Sequence, residues 1–320
     1  MESFRPIAPA FTKPNPAEWS DKEVTAAWLG HSTVLINFFG INILTDPVLF
    51  PRIGIRIPSL FTIGPKRLTA PALTVDELPR IDLILLSHAH FDHTDWRTLH
   101  HLSRRVAPEY ARSSGVKSDL NPTKVITASR TRDLLRWTQF HDITELPWGE
   151  RIVCHFPPKE LDRLKRSSLS AAPTKEGDTP DDRIDIIALP VKHWGARMRR
   201  DFYRGYNGYL IEKNNRRILF AGDTAFTDRF KELRMHGPID LAIFAVAAYN
   251  PWIQSHCSPE QAVQMANDAG ARFIMPVHHQ TFRLSFEPFR EPIERFEAAL
   301  RDEPERIALR EIGETFVLPE

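Results

Sequence analysis

From Val24 onward the chain alternates short apolar runs with polar breaks, and most runs are too short to be helices. "VTAAWLG" (24–30), "TVLINF" (33–38) and "INILTD" (41–46), with Gly40 at a turn, predict the strands of a meander or hairpin. "RIDLILLS" (80–87) is a continuous apolar run, the pattern of a fully buried strand. The same pattern returns in "IDIIALPV" (184–191), "YNGYLIE" (206–212), "RILFAG" (217–222), "IDLAIFAVA" (239–247) and "RFIMPV" (272–277). Two stretches read as helix. In 128–140, Leu134, Leu135 and Trp137 fall on one helical stripe. "SPEQAVQMANDAG" (258–270) has Ser258 as N-cap, Pro259 at the first helical position, Gln261 completing a capping box and Gly270 as the stop.

Two segments fall outside this pattern. Residues 1–22 hold prolines at 6, 9, 14 and 16 without periodicity and predict an extended arm over the surface. Residues 157–183 are polar, charged and rich in Pro and Ser, and read as a surface insertion. The rest forms two halves that echo each other. "INILTDP" followed by "LPRIDLILLSHAH" is matched by "RILFAGDT" followed by "HGPIDLAIFAVAAYN". Two β-rich halves with helices between them predict an α/β fold in one domain spanning 1–320: two sheets packed face to face, helices outside. The functional site is then expected where strand ends of both halves meet.

Composition narrows the class of partner. The chain has 320 residues, 42% of them hydrophobic and 26% charged, as an ordinary globular protein does. With 42 basic and 41 acidic residues there is no electrostatic footprint for nucleic acid. Cys154 and Cys257 form no CxxC pair, which suits a reducing compartment. The N-terminal residues lack an apolar signal core, and no run approaches the ~18 apolar residues of a membrane span. A cytoplasmic location is expected.

The chemistry gathers in "SHAHFDHTDW" (87–96), immediately after the strand "IDLILL". Imidazoles and carboxylates crowded there are costly to desolvate unless a cation sits among them. His88, His90, Asp92 and His93 are the ligand types of zinc, with iron or manganese as alternatives. His88 and His90 alternate, so on extended backbone their rings share a side, while Asp92 and His93 follow on a turn. One ion cannot comfortably take all four from so short a loop; two ions can. Further candidates also follow apolar strands: His193 in "LPVKHWG", Asp223 in "LFAGDT", where Gly222 allows close approach, and His278 in "IMPVHHQ". Asp46 in "LTDP" reads either as a hydrogen-bond partner of a ligating imidazole or as the carboxylate of an Asp-Pro turn. His31 in "LGHS" reads either as such a partner or as a core histidine. His256 stands just before a helix N-terminus, where anions bind readily. Tyr249 and Trp252 read as pocket lining or as plain packing. His100, His101, His141, His155 and His236 read as surface or structural. In "PVLFPRIGIRIPSLF" (47–61), apolar residues including Phe50 and Ile53 either grip acyl chains at a membrane face or pack on the sandwich. The basic, aromatic "KHWGARMRRDFYR" (192–204) suits an anionic head group.

The "HxHxDH" pattern with the later His, Asp and His resembles the metallo-β-lactamase superfamily, whose fold is an αββα sandwich of two packed, mostly antiparallel sheets with helices on both outer faces. A longer set is similar to the N-acyl-phosphatidylethanolamine-hydrolysing phospholipase D group: "WLGHSTVLI", "ILTDP", "GPKR", "ELPRIDLILLSHAHFDH", "HW", "FAGDT", "AAYNP", "HCSPEQAV" and "HHQTF", in that order over roughly 24–290. The resemblance implies one zinc held by His88, His90 and His193, and a second held by Asp92, His93 and His278, with Asp223 bridging. It implies a hydroxide shared by the ions as nucleophile, oriented by Asp92, and two ions about 3.5–4 Å apart that hold a phosphate's oxygens. It places His256 near that phosphate. The expected activity is hydrolysis of a phospholipid or other small phosphodiester, with peripheral membrane contact. A lactonase or amidohydrolase with the same metals, such as a sugar-phosphate lactonase, is the alternative. A di-iron redox variant would carry "HxExD" and a flavodoxin domain; here His90 stands in place of the Glu. Where the phospholipases read "HWGTF", this chain has "HHQTF", so His279 and Gln280 alter the wall beside His278.

Overall fold

The computed structural model describes residues 5–57, 61–105, 121–156, 183–198 and 200–320. Its strands are β1 (Val24–Gly30), β2 (Thr33–Phe38), β3 (Ile41–Thr45), β4 (Ile55–Arg56), β5 (Thr62–Ile63), β6 (Leu83–Leu86), β7 (Asn121–Thr127), β8 (Phe140–Glu145), β9 (Arg151–His155), β10 (Arg183–Leu189), β11 (Gly208–Lys213), β12 (Arg216–Phe220), β13 (Ile239–Ala245), β14 (Ala271–Val277) and β15 (Thr315–Val317). The α-helices among the described residues are α1 (Trp96–Arg104), α2 (Pro259–Ala269) and α3 (Glu291–Ala299). One sheet runs β15-β1-β2-β3-β6-β7-β8 and the other β14-β13-β12-β11-β10-β9, with β4 and β5 forming a separate hairpin.

The two sheets face each other because their strands carry apolar side chains on both faces. In the second sheet the assignment alternates residue by residue, as a period of two requires. Ile186, Ala188, Tyr209, Ile211, Ile218, Phe220, Leu241 and Ile243 enter the core between the sheets. Their neighbours Ile187, Leu189, Leu210, Leu219, Ala242 and Phe244 enter the layer shared with α2 and α3. On the opposite side Leu99 and Leu102 of α1 join the large core beneath the first sheet. Helices therefore flank a double sheet, the αββα arrangement.

The sheets are mixed rather than mostly antiparallel. In each, an antiparallel meander feeds parallel strands: β3 pairs in parallel with β6, as β12 does with β13. The echo between the halves is thus a repeated strand order, β1-β2-β3-β6-β7 against β10-β11-β12-β13-β14. Hydrogen bonding fixes the correspondence. Asp46 N–H donates to Leu85 O at 2.9 Å, and Ala221 N–H donates to Ile243 O at 3.0 Å. Ala221 is therefore the counterpart of Asp46, and Asp223 lies two residues farther along.

The helix expected over 128–140 does not form. One 3-10 turn, Arg132–Leu135, is followed by β8 from Phe140. The Glu145 carboxylate takes the N–H groups of Thr131 and Arg132, competing with helical bonding, and Trp137 is exposed instead of lying on a buried stripe. In the N-terminal arm, Ala8 bridges Thr69, Phe11 N–H bonds Ile312 O, and Pro16–Glu18 makes a single 3-10 turn. The insertion expected over 157–183 lies outside the described residues except for Arg183, which opens β10. Among the described residues no helix is long and apolar enough to cross a membrane.

Candidate metal centre

Four strand ends converge between the sheets. After β6 the chain turns tightly through 90–94, where His93 N–H and Thr94 N–H both donate to His90 O. That turn points His88, His90, Asp92 and His93 to one side of it. The end of β10 leads to His193, and the end of β12 to Asp223. Gly222 is required between β12 and Asp223: its φ is +61°, and a Cβ there would lie 2.9 Å from both Asn207 O and Ser87 Cβ. The end of β14 leads to His278, whose N–H donates to His31 O at 2.9 Å. His31, Asp46, Ala248, His278 and Gln280 all have φ between 31° and 71°. Left-handed backbone at five non-glycine positions around one point is strain of the kind that concentrates at functional sites.

The side chains form two groups around one carboxylate. His88, His90 and His193 offer nitrogens mutually within 4.8 Å, and His31, His93 and His278 offer nitrogens equally close to one another and to a carboxylate oxygen of Asp92. Asp223 Oδ2 stands between them: 3.1 Å from His93 Nε2, 3.3 Å from His278 Nε2, 3.9 Å from the Nε2 atoms of His88 and His193, and 3.8 Å from His256 Nδ1. The outward ring nitrogens are tied down, which fixes which nitrogen faces in. His93 Nδ1 meets Asp46 Oδ2 at 2.6 Å, His88 Nδ1 meets Ser87 Oγ at 2.8 Å, and His193 Nδ1 meets Ser255 O at 2.8 Å. Ser87 in turn bonds Asp46 through both its N–H and its hydroxyl. His31 Nε2 holds Asp92 Oδ2 at 3.0 Å.

Three nitrogens of the first group meet one another: His90 Nδ1 lies 2.8 Å from His88 Nε2 and 3.3 Å from His193 Nε2. Other atoms of the cluster are not satisfied within the protein: His90 Nε2, His93 Nε2, Asp223 Oδ1, His256 Nδ1 and both ring nitrogens of His278 are buried without a hydrogen-bond partner. Buried polar atoms left so are rare unless something else binds them. The electrostatics agree. Burial first, and the neighbouring imidazoles second, hold the His88 imidazolium well below its usual range. Burial pushes His193 down to about 3 and His256 to about 4. Burial opposes charge on His278 and His93 too, yet Asp223 and Asp92 outweigh it, raising His278 to about 9 and His93 well above the ordinary value. The cluster draws positive charge to its centre, and the donor set of imidazoles and carboxylates fits divalent cations of the zinc, iron or manganese type.

The remaining sequence candidates divide. Asp46 is fully buried and hydrogen-bonds a ring of the cluster; His31 touches Asp92. His256 faces the same centre. Tyr249 does not: its hydroxyl donates to Glu291 of α3 at 2.7 Å beneath Arg295, so the strand end turns it outward into packing. His279 is buried against Trp28, with ring centroids 4.5 Å apart, and joins neither ligand group. Arg197 was legible in the sequence only as part of a basic stretch. It is half-buried, donates to Ala89 O and Thr94 O, and lies 4.0 Å over the Phe91 ring, bracing the "HAHFDH" turn. A cavity of about 630 Å³ opens onto Asp92, Asp223, His256 and His278, walled by Ile55, Ile63, Phe91, Trp194 and Trp252. Ile53 and Val48 pack with Phe282, so the 47–61 segment is partly core; Ile55, Phe61 and Ile63 of the hairpin region are exposed.

Known proteins have similar sequences and folds. An uncharacterized protein of Mycobacterium tuberculosis is 30% identical over 95% of this chain and 71% of its own length. The N-acyl-phosphatidylethanolamine-hydrolyzing phospholipase D 1 of Caenorhabditis elegans is 30% identical over 82% of this chain, which spans 65% of that enzyme. The fold is shared with the isothiocyanate hydrolase from Delia radicum gut bacteria, at a TM-score of 0.61 and 15% identity over 92% of this chain and 98% of that one. The family model described as "Beta-lactamase superfamily domain" matches residues 41–279, from the start of β3 to the residue after His278. With that match running through every strand end that meets at Asp223, the chain belongs to the metallo-β-lactamase superfamily.

Proposed function

We propose that this superfamily hydrolase is a binuclear metal-dependent phosphodiesterase, phospholipase D-like, acting on a phospholipid of the N-acyl-phosphatidylethanolamine type or on another small phosphodiester. The observation that carries the reading is Asp223 Oδ2 lying between two separate histidine-rich ligand groups. In it, His88, His90 and His193 would hold one ion and Asp92, His93 and His278 the other, with Asp223 lying between the two groups and zinc the expected metal. Two such ions supply a water of lowered pKa and neutralise oxygens of a phosphate. Asp92, held by His31, would orient the attacking water. His256 stays neutral because burial holds it to about 4, so its imidazole can donate a hydrogen bond to a phosphate oxygen or the leaving alcohol. The apolar cavity wall suits a lipid, and the exposed Ile55, Phe61 and Ile63 suit peripheral contact with a bilayer. The phospholipase relative at 30% identity supports the substrate class.

The test is product analysis in isotopically labelled water. Incubation with an N-acylated phosphatidylethanolamine and with chromogenic diesters is expected to yield a phosphomonoester and an alcohol, the label residing in the phosphate. Ready opening of lactones without cleavage of any diester would overturn the reading in favour of a lactonase.

A further inference from the structure

Beside the metal cleft lies a larger groove, about 810 Å³, that the chemistry above leaves unused. The two cavities share Gly54, Ile55, Phe91 and Arg197, so they are contiguous. Trp96, Trp137, Leu134 and Met198 give the groove apolar walls. Its charged lining is five arginines and two aspartates. Both aspartates are engaged elsewhere. Asp133 receives two hydrogen bonds from Arg204, and Asp95 caps α1 by accepting from the N–H and hydroxyl of Thr98. Arg197 is committed to backbone carbonyls.

Arg56 and Arg97 are left. Neither makes a salt bridge to a carboxylate among the described residues. Arg97 lies 4.1 Å over the Phe50 ring, and Arg56 lies 5.7 Å over the ring of Trp96 in the groove wall. They are near enough to repel: burial first and Arg56 second hold the Arg97 guanidinium below its usual range. Arg97 Nε is buried without a hydrogen-bond partner. Two guanidiniums stacked on aromatic rings, with Asp95 attracting Arg97 but already bonded to Thr98, offer charge-assisted hydrogen bonds to an oxyanion.

We propose that this groove binds a second anionic group of the substrate, an oxyanion carried on an apolar linker away from the scissile ester, with Arg56 and Arg97 as its ligands. The inference rests on the phosphodiesterase reading and adds to it that a diester bearing a further negative charge is favoured over one whose only charge is the scissile phosphate. Arg136, exposed and stacked on Trp137 at 5.0 Å, supplies additional positive potential at the rim.

The experiment compares p-nitrophenyl ω-phosphoalkyl phosphates with the matching ω-hydroxyalkyl diesters, over a graded series of linker lengths, using the metal-loaded full chain. At the best length the phosphorylated substrate should have a kcat/KM at least about tenfold higher, equivalent to 1.4 kcal/mol. In Arg56→Gln/Arg97→Gln that ratio should collapse towards unity, while Arg229→Gln/Arg301→Gln, an equal charge change at exposed remote positions, should keep it. A ratio near unity at every length in the unaltered protein overturns the proposal. A second arm titrates an alkanediol bisphosphate calorimetrically: Arg56→Gln/Arg97→Gln should weaken binding about tenfold, and unchanged binding with an unchanged melting profile overturns the proposal. Failure to cleave any diester would instead remove the assigned reaction, and the calorimetric arm would still decide the groove.

Discussion

Asp46 and Asp223 are both buried among imidazoles, and their surroundings assign them different work. Asp46 accepts from Ser87 twice and touches one ring of the cluster, His93. Burial dominates, and its carboxyl is held above the ordinary range despite His93 and Ser87. Asp223 is buried as well, but the surrounding histidines hold its carboxyl well below that range. It touches both ligand groups directly. Asp223→Ala should therefore cost more activity than Asp46→Ala, whose loss should fall in the range of about 10–100-fold for a partner that orients a ligand. Steady-state rates on a chromogenic diester, in metal-replete samples, check this; equal losses would mean that one carboxylate is misassigned. Most of this centre was legible in the residues, because ligand types following apolar runs are conspicuous. Asp46 and His31 could not be resolved from sequence, since a hydrogen-bond partner and a packed polar residue share one local pattern. Tyr249 shows the converse: four residues past the end of β13 and just after left-handed backbone at Ala248, with φ +64°, it faces Glu291 of α3 and not the cluster.

At the scale of elements, the strands read correctly are the central ones, buried on both faces, together with the edge strand β14. The unread ones are largely edges: β8, β9 and β15 end their sheets, and half-exposed strands such as "FHDITE" carry little apolar periodicity. α2 was readable through its caps, and Ser258, Gln261 and Gly270 make the expected contacts. The β4–β5 hairpin, absent from the sequence reading, makes its own prediction. Ile55, Phe61 and Ile63 are 48%, 59% and 54% exposed beside the cavity mouth. Replacing all three with serine should lower turnover of long-chain diesters in vesicles by at least about tenfold, since each apolar side chain buried is worth about 1.5–3 kcal/mol. A soluble diester should respond far less. Equal loss on both, with an unchanged circular dichroism spectrum, would count against membrane contact. Ile53, packed with Val48 and Phe282, is the wrong residue for that test because its loss opens a core.

For the whole molecule, the ligand groups draw on both sheets, so bound ions should hold the sheets together. Metal analysis should find two ions per chain, and a firm value of one after zinc addition would refute the binuclear assignment. Chelation should lower the melting temperature by several degrees, because metal at a hundred times its Kd contributes about 2.7 kcal/mol. The general plan of two like sheets was visible in the repeated order of motifs, whereas the parallel pairings were not, because apolar runs do not state direction. The offset between the halves then explains how one chemistry came to serve two ends. Counted from matching hydrogen bonds, Asp46 stands level with Ala221, and Asp223 stands two residues beyond. The two carboxylates end differently: Asp46 meets the outward nitrogen of His93, whereas Asp223, beyond the left-handed turn at Gly222, stands among the inward-facing nitrogens.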